Sequence, residues 1–149
     1  MKAETEPITD DEWLLRRVRL EKFRTDKVPV ISPNAFEPRV TGRDPDTDGI
    51  SLHRAACLAD PSEVLATLVP ERRHEYGIVR IPVSLLRSLN LSVASKPDER
   101  VKGHVVIPEL NADDYASDKS RFTPLKYKLA TEASKDKNIL RRPTPAAGQ

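Results

Sequence analysis

Four prolines, Pro29, Pro33, Pro38 and Pro45, fall within residues 28–50, together with Gly42 and Gly49. Proline lacks a backbone N–H and clashes with the preceding helical turn, so this density forbids a regular helix. The segment is expected to be a long loop punctuated by Val30, Ile31, Phe36 and Val40. Proline is abundant throughout, thirteen of 149 residues, against a usual ~5%. Much of the backbone should therefore be irregular. Leu, Val, Ile and Phe still supply 37 residues, enough for the modest core of one domain.

Short elements fit between the prolines. Thr9 and Glu12 stand at capping-box spacing before WLLRRVR. The apolar period there admits a helix or a strand, and a capped turn running into a strand is expected. GISLHRA, 49–55, reads as a strand with Ile50 and Leu52 opposite Ser51 and His53. In DPSEVLATL, Asp60 caps, Pro61 opens and Glu63 completes a capping box before Val64, Leu65 and Leu68. YGIVRIPV, 76–83, is strand-like, and Pro82 should start a short helix closed by Asn90. RVKGHVVIPEL, 100–110, alternates as a strand that Pro108 ends.

Beyond Leu110 the apolar residues are scattered. Residues 1–12 hold one lysine against five acids, whereas 117–149 hold eight bases against three acids. The expected organisation is an acidic segment, 1–12, an α+β domain, 13–116, and a basic arm, 117–149. Residues 134–149 are expected to be disordered in isolation. The fold class is α+β: a small mixed or antiparallel sheet, two or three short helices, the proline-rich loop and the irregular arm.

No segment is apolar enough to cross a bilayer, and Met1 to Asp11 lacks the apolar stretch of a secretory signal. A lone cysteine, Cys57, suits a reducing compartment, and a cytoplasmic location is expected. DPDTDG, 44–49, matches the start of a calcium loop, but its twelfth position is Ala55, which offers no carboxylate. It reads as an acidic turn, and neither a metal nor a cofactor is expected. His53, His74 and His104 show no metal-ligand spacing. Cys57 reads as a small buried residue rather than a nucleophile. In ERRHEY, 71–76, Arg73, His74 and Glu75 could tune one another, although a solvated turn explains them more simply.

WLLRRV at 13–18, SPNAFEPR with DTDGISLHRA over 32–56, and KGHVVIPEL at 102–110 resemble a widespread group of short bacterial proteins. That group shares an L-x-R-R strand, a proline-rich loop, a D-G-[LI]-S strand and a later histidine strand. The resemblance spans about residues 13–110 and implies no particular activity. A weaker one is to ADP-ribosyltransferase-like folds, in which an arginine-bearing strand precedes a hydroxyl-rich one. It implies NAD-handling chemistry with Arg16 or Arg17 in the first role, Ser51 in the second, and a carboxylate at or near Glu109.

Absent catalytic signatures favour a soluble bacterial accessory module that binds another protein within a larger complex. Its contact residues are expected to be Phe36, Arg39, Arg43, Arg121, Lys126, Tyr127 and Lys128. An enzyme is the alternative, with Arg16, Arg17, Ser51, His53 and His104 meeting in one pocket. A third reading is nucleic-acid binding through the basic arm, where Tyr127 stands between two lysines.

Overall fold

Residues 1–145 are described in a computed structural model of the chain. Thr9 and Glu12 form the expected turn: the Glu12 carboxylate accepts the Thr9 N–H at 2.9 Å, and the Glu12 N–H reaches the Thr9 carbonyl. The turn releases the chain into β1 (Trp13–Arg19), followed by β2 (Ile50–Arg54) and β3 (Tyr76–Pro82). Then come α1 (Val83–Ser88), β4 (Ala94–Ser95), β5 (His104–Ile107), α2 (Ala112–Ser117), α3 (Thr123–Ala133) and β6 (Ile139–Arg141). The strands make one antiparallel sheet in the order β4-β5-β2-β1-β3-β6. The chain is therefore an α+β fold with a small antiparallel sheet and short helices.

Side chains alternate across this sheet, as its pleat requires. One face carries Leu14, Val18, Ile50, Leu52, Val79, Ile81, Val105 and Ile107 into the main core. The other buries a smaller cluster around Leu15, Ile78, Val64 and Leu65. The capped segment at Asp60 is a 3-10 turn, Pro61–Leu65, with both capping-box bonds formed. Of ERRHEY, residues 71–75 lie in a 3-10 turn, Pro70–Glu75, and Tyr76 opens β3. Asn90, at φ 61°, closes the chain after α1.

The proline-rich loop is ordered by what it packs against. Ser32 caps the turn Pro33–Phe36, and Phe36 is fully buried in the main core. At the loop's end Gly49 has φ 113°, and a side chain there would run into the Ile107 carbonyl. Only glycine suits that close approach of β2 to β5.

Residues 117–145 do not form the irregular arm expected from their charge. Phe122 of the turn before α3, and Leu129, Ala130 and Ala133 of α3, lie in the main core. Ile31 N–H donates to Ser134 Oγ at 2.9 Å, and Lys126 meets Glu37 at 3.1 Å and Asn34 at 3.2 Å. Asn138, also buried, accepts from Arg80 Nε at 3.0 Å and donates to the Glu132 carbonyl at 2.8 Å. The boundary placed at 116/117 thus cuts through one core. The expectation of disorder over 134–149 is not met over 134–145, and 146–149 lie outside the described residues.

The acidic N-terminal segment is pinned by a buried charge. Arg54 is 1% exposed and donates to Glu12 through Nε and Nη2 at 2.8 and 2.9 Å. Its remaining donors reach the carbonyls of Glu4, Glu6 and Pro7. Burial raises the Glu12 carboxyl, but Arg54, the Thr9 N–H and Lys2 outweigh it and hold the group down to about 2.

Candidate functional site

β1 pairs with β3 along its whole length, yet with β2 only at Leu14–Arg54 and Leu15–His53. From Arg16 onward the two strands part, and side chains do what a ladder would otherwise do. The Arg16 guanidinium donates to the Ser51 carbonyl and to the Ala35 carbonyl, each at 2.8 Å. It also sits 5.9 Å from the Phe36 ring centre. The bridge gives the Ser51 carbonyl a donor at the gap and ties β2 to the turn Pro33–Phe36.

The split opens a cleft. One cavity of about 520 Å³ has Arg16, Arg17, Arg39, Asp46, Ser51 and His53 in its walls. A second, of about 820 Å³, shares Arg17, Arg39, Asp46 and Ser51 with it and adds Arg43, Thr67 and His104. Strand alternation explains the convergence: Leu15, Arg17, Ser51, His53 and His104 project from one face of β1, β2 and β5.

Three of the four aspartates in the walls are engaged, and Asp44, at the rim of the second cavity, makes no side-chain bond among the described residues. Asp46 accepts the Arg39 N–H at 2.7 Å, Asp48 meets Lys96, and Asp98 holds Arg100 through two side-chain bonds of 3.1 and 2.8 Å. Asp46 and Asp48 of the calcium-like string therefore serve turn and wall. By contrast, among the described residues no carboxylate comes within 4.0 Å of the side chains of Arg16, Arg17, Arg39 or Arg43. Arg17 makes its best bond to Thr67 Oγ1 at 2.8 Å. Burial lowers the Arg16 guanidinium to about 10 against the charge of Asp46, so it stays cationic at neutral pH. Arg17 is lowered too, again by burial first.

The two imidazoles are neighbours, with ring centres 5.2 Å apart. Burial, then the charges of His104 and Arg17, push His53 down to about 4. His104 bonds through Nδ1 to the Lys96 carbonyl at 2.6 Å and through Nε2 to Ser51 Oγ at 3.0 Å.

This depression of His53 has a thermodynamic consequence. Above pH 6.5 neither folded nor unfolded chain protonates it; between 6.5 and 4 only the unfolded chain does. Stability should therefore fall with pH through that window, by up to about 1.4 kcal/mol per unit, and level off for this group below 4. Glu12 adds a second loss between 4.5 and 2, where again only the unfolded chain takes the proton. Urea melts across pH check this: His53→Gln should flatten the window from 6.5 to 4.5 and keep the steeper loss below it.

Of the five residues expected to meet if the chain is an enzyme, Arg17, Ser51, His53 and His104 line this cleft from one sheet face, whereas Arg16 projects from the core face and enters the wall of the first cavity only. Glu109 does not; its carboxylate takes the N–H and hydroxyl of Ser92, both at 2.7 Å. His74 sits in the turn before β3, where its carbonyl accepts the Thr144 N–H. Cys57 is buried beside Gly103, and burial pushes its thiol up.

Of the expected contact residues, Phe36 is core and cannot present its ring to a partner. Lys126 is largely covered and held by Glu37. Arg39 and Arg43 stand exposed at the cleft, while Arg121, Tyr127 and Lys128 are exposed on the C-terminal segment. Arg39 and Arg43 are expected as partner contacts; that they share a cavity wall with Arg17 follows from the loop folding back, which no local spacing announces. Among the described residues no helix is long and apolar enough to cross a membrane. Comparison of the chain with family models, curated proteins and solved structures yields no match.

Proposed function

We propose that the protein binds a phosphate-bearing small molecule of nucleotide size in the cleft between β1 and β2. One observation carries this reading: Arg17 and Arg39 stand in the walls of both cavities, with Arg16 added in the first and Arg43 in the second, none with a carboxylate partner, while Asp46, Asp48 and Asp98 are bonded elsewhere. Guanidinium groups present fixed forks of donors that match phosphate oxygens, and partial burial strengthens each bond. The cavities, about 520 and 820 Å³, lie within the usual ~300–1,000 Å³ of small-molecule sites.

This reading stands closer to the nucleotide-handling alternative than to the protein-interaction module, because burial removes Phe36 and Lys126 from any partner surface. Glu109, the carboxylate that the resemblance implies, is bonded to Ser92 outside the cleft walls, which separates this reading from ADP-ribosyl transfer.

Titration calorimetry with pyrophosphate, ADP and adenosine tests the proposal. Pyrophosphate and ADP should bind and adenosine should not. Arg17→Gln should weaken binding about 10- to 100-fold, the range for losing a charge-assisted bond, whereas Lys128→Gln should leave it unchanged. Equal affinity for adenosine and ADP, or no heat with either anion, would overturn the reading.

A further inference from the structure

Ser51 stands opposite Val106, and His53 opposite His104, in the antiparallel pair β2–β5. Ser51 and His104 are thus diagonal neighbours on the cleft face, a separation that an imidazole spans. The bonds of His104 fix its proton. A carbonyl oxygen only accepts, so the 2.6 Å contact to Lys96 places hydrogen on Nδ1. In the neutral ring Nε2 is then bare, and the Ser51 hydroxyl 3.0 Å away donates to it. A serine hydroxyl bonded to a base, with the base oriented by a third group, is the arrangement of an activated nucleophile. Thr67, another hydroxyl of this wall, instead accepts from Arg17.

We infer that Ser51 is a nucleophile activated by His104, and that it acts on phosphate esters or anhydrides held by the cleft arginines. The substrate class rests on the phosphate reading above; the reactivity of Ser51 does not. In the first step Ser51 Oγ bonds to phosphorus while the bond from phosphorus to the leaving oxygen breaks. The hydroxyl proton passes to His104 Nε2 and on to the departing group. Water then attacks the phosphoserine, giving its proton through His104 to Ser51 Oγ as phosphate leaves. Arg17, which projects from the same sheet face as Ser51 and His104, supplies positive charge in the cleft.

A fluorophosphonate probe on the full chain tests this without knowledge of the substrate. Ser51 Oγ should displace fluoride, the hydroxyl proton leaving with it, and mass spectrometry should find a single adduct on Ser51. Ser51→Ala should abolish it, and His104→Gln should slow it about a hundredfold or more, the contribution of a general base. In the native chain Ser51 should be labelled while the exposed serines Ser62, Ser84 and Ser120 are not, a contrast that keeps the test decisive even if His104→Gln does not fold. No adduct on Ser51, equal labelling of the exposed serines, or a rate independent of His104 would refute the nucleophile. Labelling that pyrophosphate does not slow would uphold the nucleophile and overturn its phosphate substrate.

Discussion

A chain ending at Ala116 should fail to fold. Truncation there removes Phe122, Leu129, Ala130 and Ala133 from the main core, Asn138 from its bonds to Arg80 and Glu132, and β6 from the edge of β3. Truncating one buried phenylalanine or leucine alone costs about 2–5 kcal/mol, and domains of this kind are stable by only ~5–15 kcal/mol in total. Removing both, with the strand and the polar anchors, exceeds what is available. Circular dichroism should show no cooperative melt for the truncated chain, and its amide NMR spectrum should collapse to narrow dispersion. The single substitution Phe122→Ala gives a graded version, lowering stability by about 3–5 kcal/mol. A cooperative, native-like transition after truncation would show that the C-terminal helices are decoration on an independent core.

The second large effect is expected at Glu12. Glu12→Ala leaves Arg54 charged, 1% exposed and facing only backbone carbonyls. Breaking a buried pair from one side costs about 3–5 kcal/mol. At ~2–4 °C per kcal/mol for a domain near this size, the melting temperature should drop by roughly 10 °C. Replacing both partners by apolar residues, Glu12→Leu with Arg54→Met, should recover much of the loss, since no charge is then stranded. The doubly substituted chain should also release residues 4–7, whose carbonyls Arg54 holds. Hydrogen exchange reports that release. If Glu12→Ala unfolds with the parent, the pair contributes little and the N-terminal segment is held by other contacts.

What could be read before the fold was known followed from local chemistry. The capping boxes at Thr9–Glu12 and Asp60–Glu63, the alternation in 49–55 and 76–83, and the stop at Pro108 are all short-range signals. The turn and the strands reappear, though β5 begins only at His104, and the Asp60–Glu63 box caps a 3-10 turn in place of the helix its spacing predicts. The C-terminal helices were missed because charge masked a usable period. Leu125, Leu129, Ala130 and Ala133 recur at helical spacing, but half of that stripe is alanine, set among lysines. Asn111, which caps α2 by accepting the Asp114 N–H, was a second overlooked signal. Phe36 reads as a contact residue from its place in a proline-rich loop; in the fold α3 covers the turn that carries it.

The cleft was legible only as a set of residue types. Arg16, Arg17, Ser51, His53 and His104 lie on three strands that are far apart in sequence, and pairing brings them together. No spacing rule foretells that β1 and β2 part after two rungs. Nor does any local pattern place Arg39 and Arg43 over the gap, since both depend on how the proline-rich loop returns to β2.

The most direct test of the phosphate cleft observes the arginines themselves. In a side-chain NMR titration with pyrophosphate, the Nε–H signals of Arg17, Arg39 and Arg43 should shift together and saturate on one binding curve. Those of Arg72 and Arg121, each outside the cleft walls, should stay in place. Shifts spread evenly over all exposed arginines, or none in the cleft at saturating anion, would contradict a phosphate site between β1 and β2.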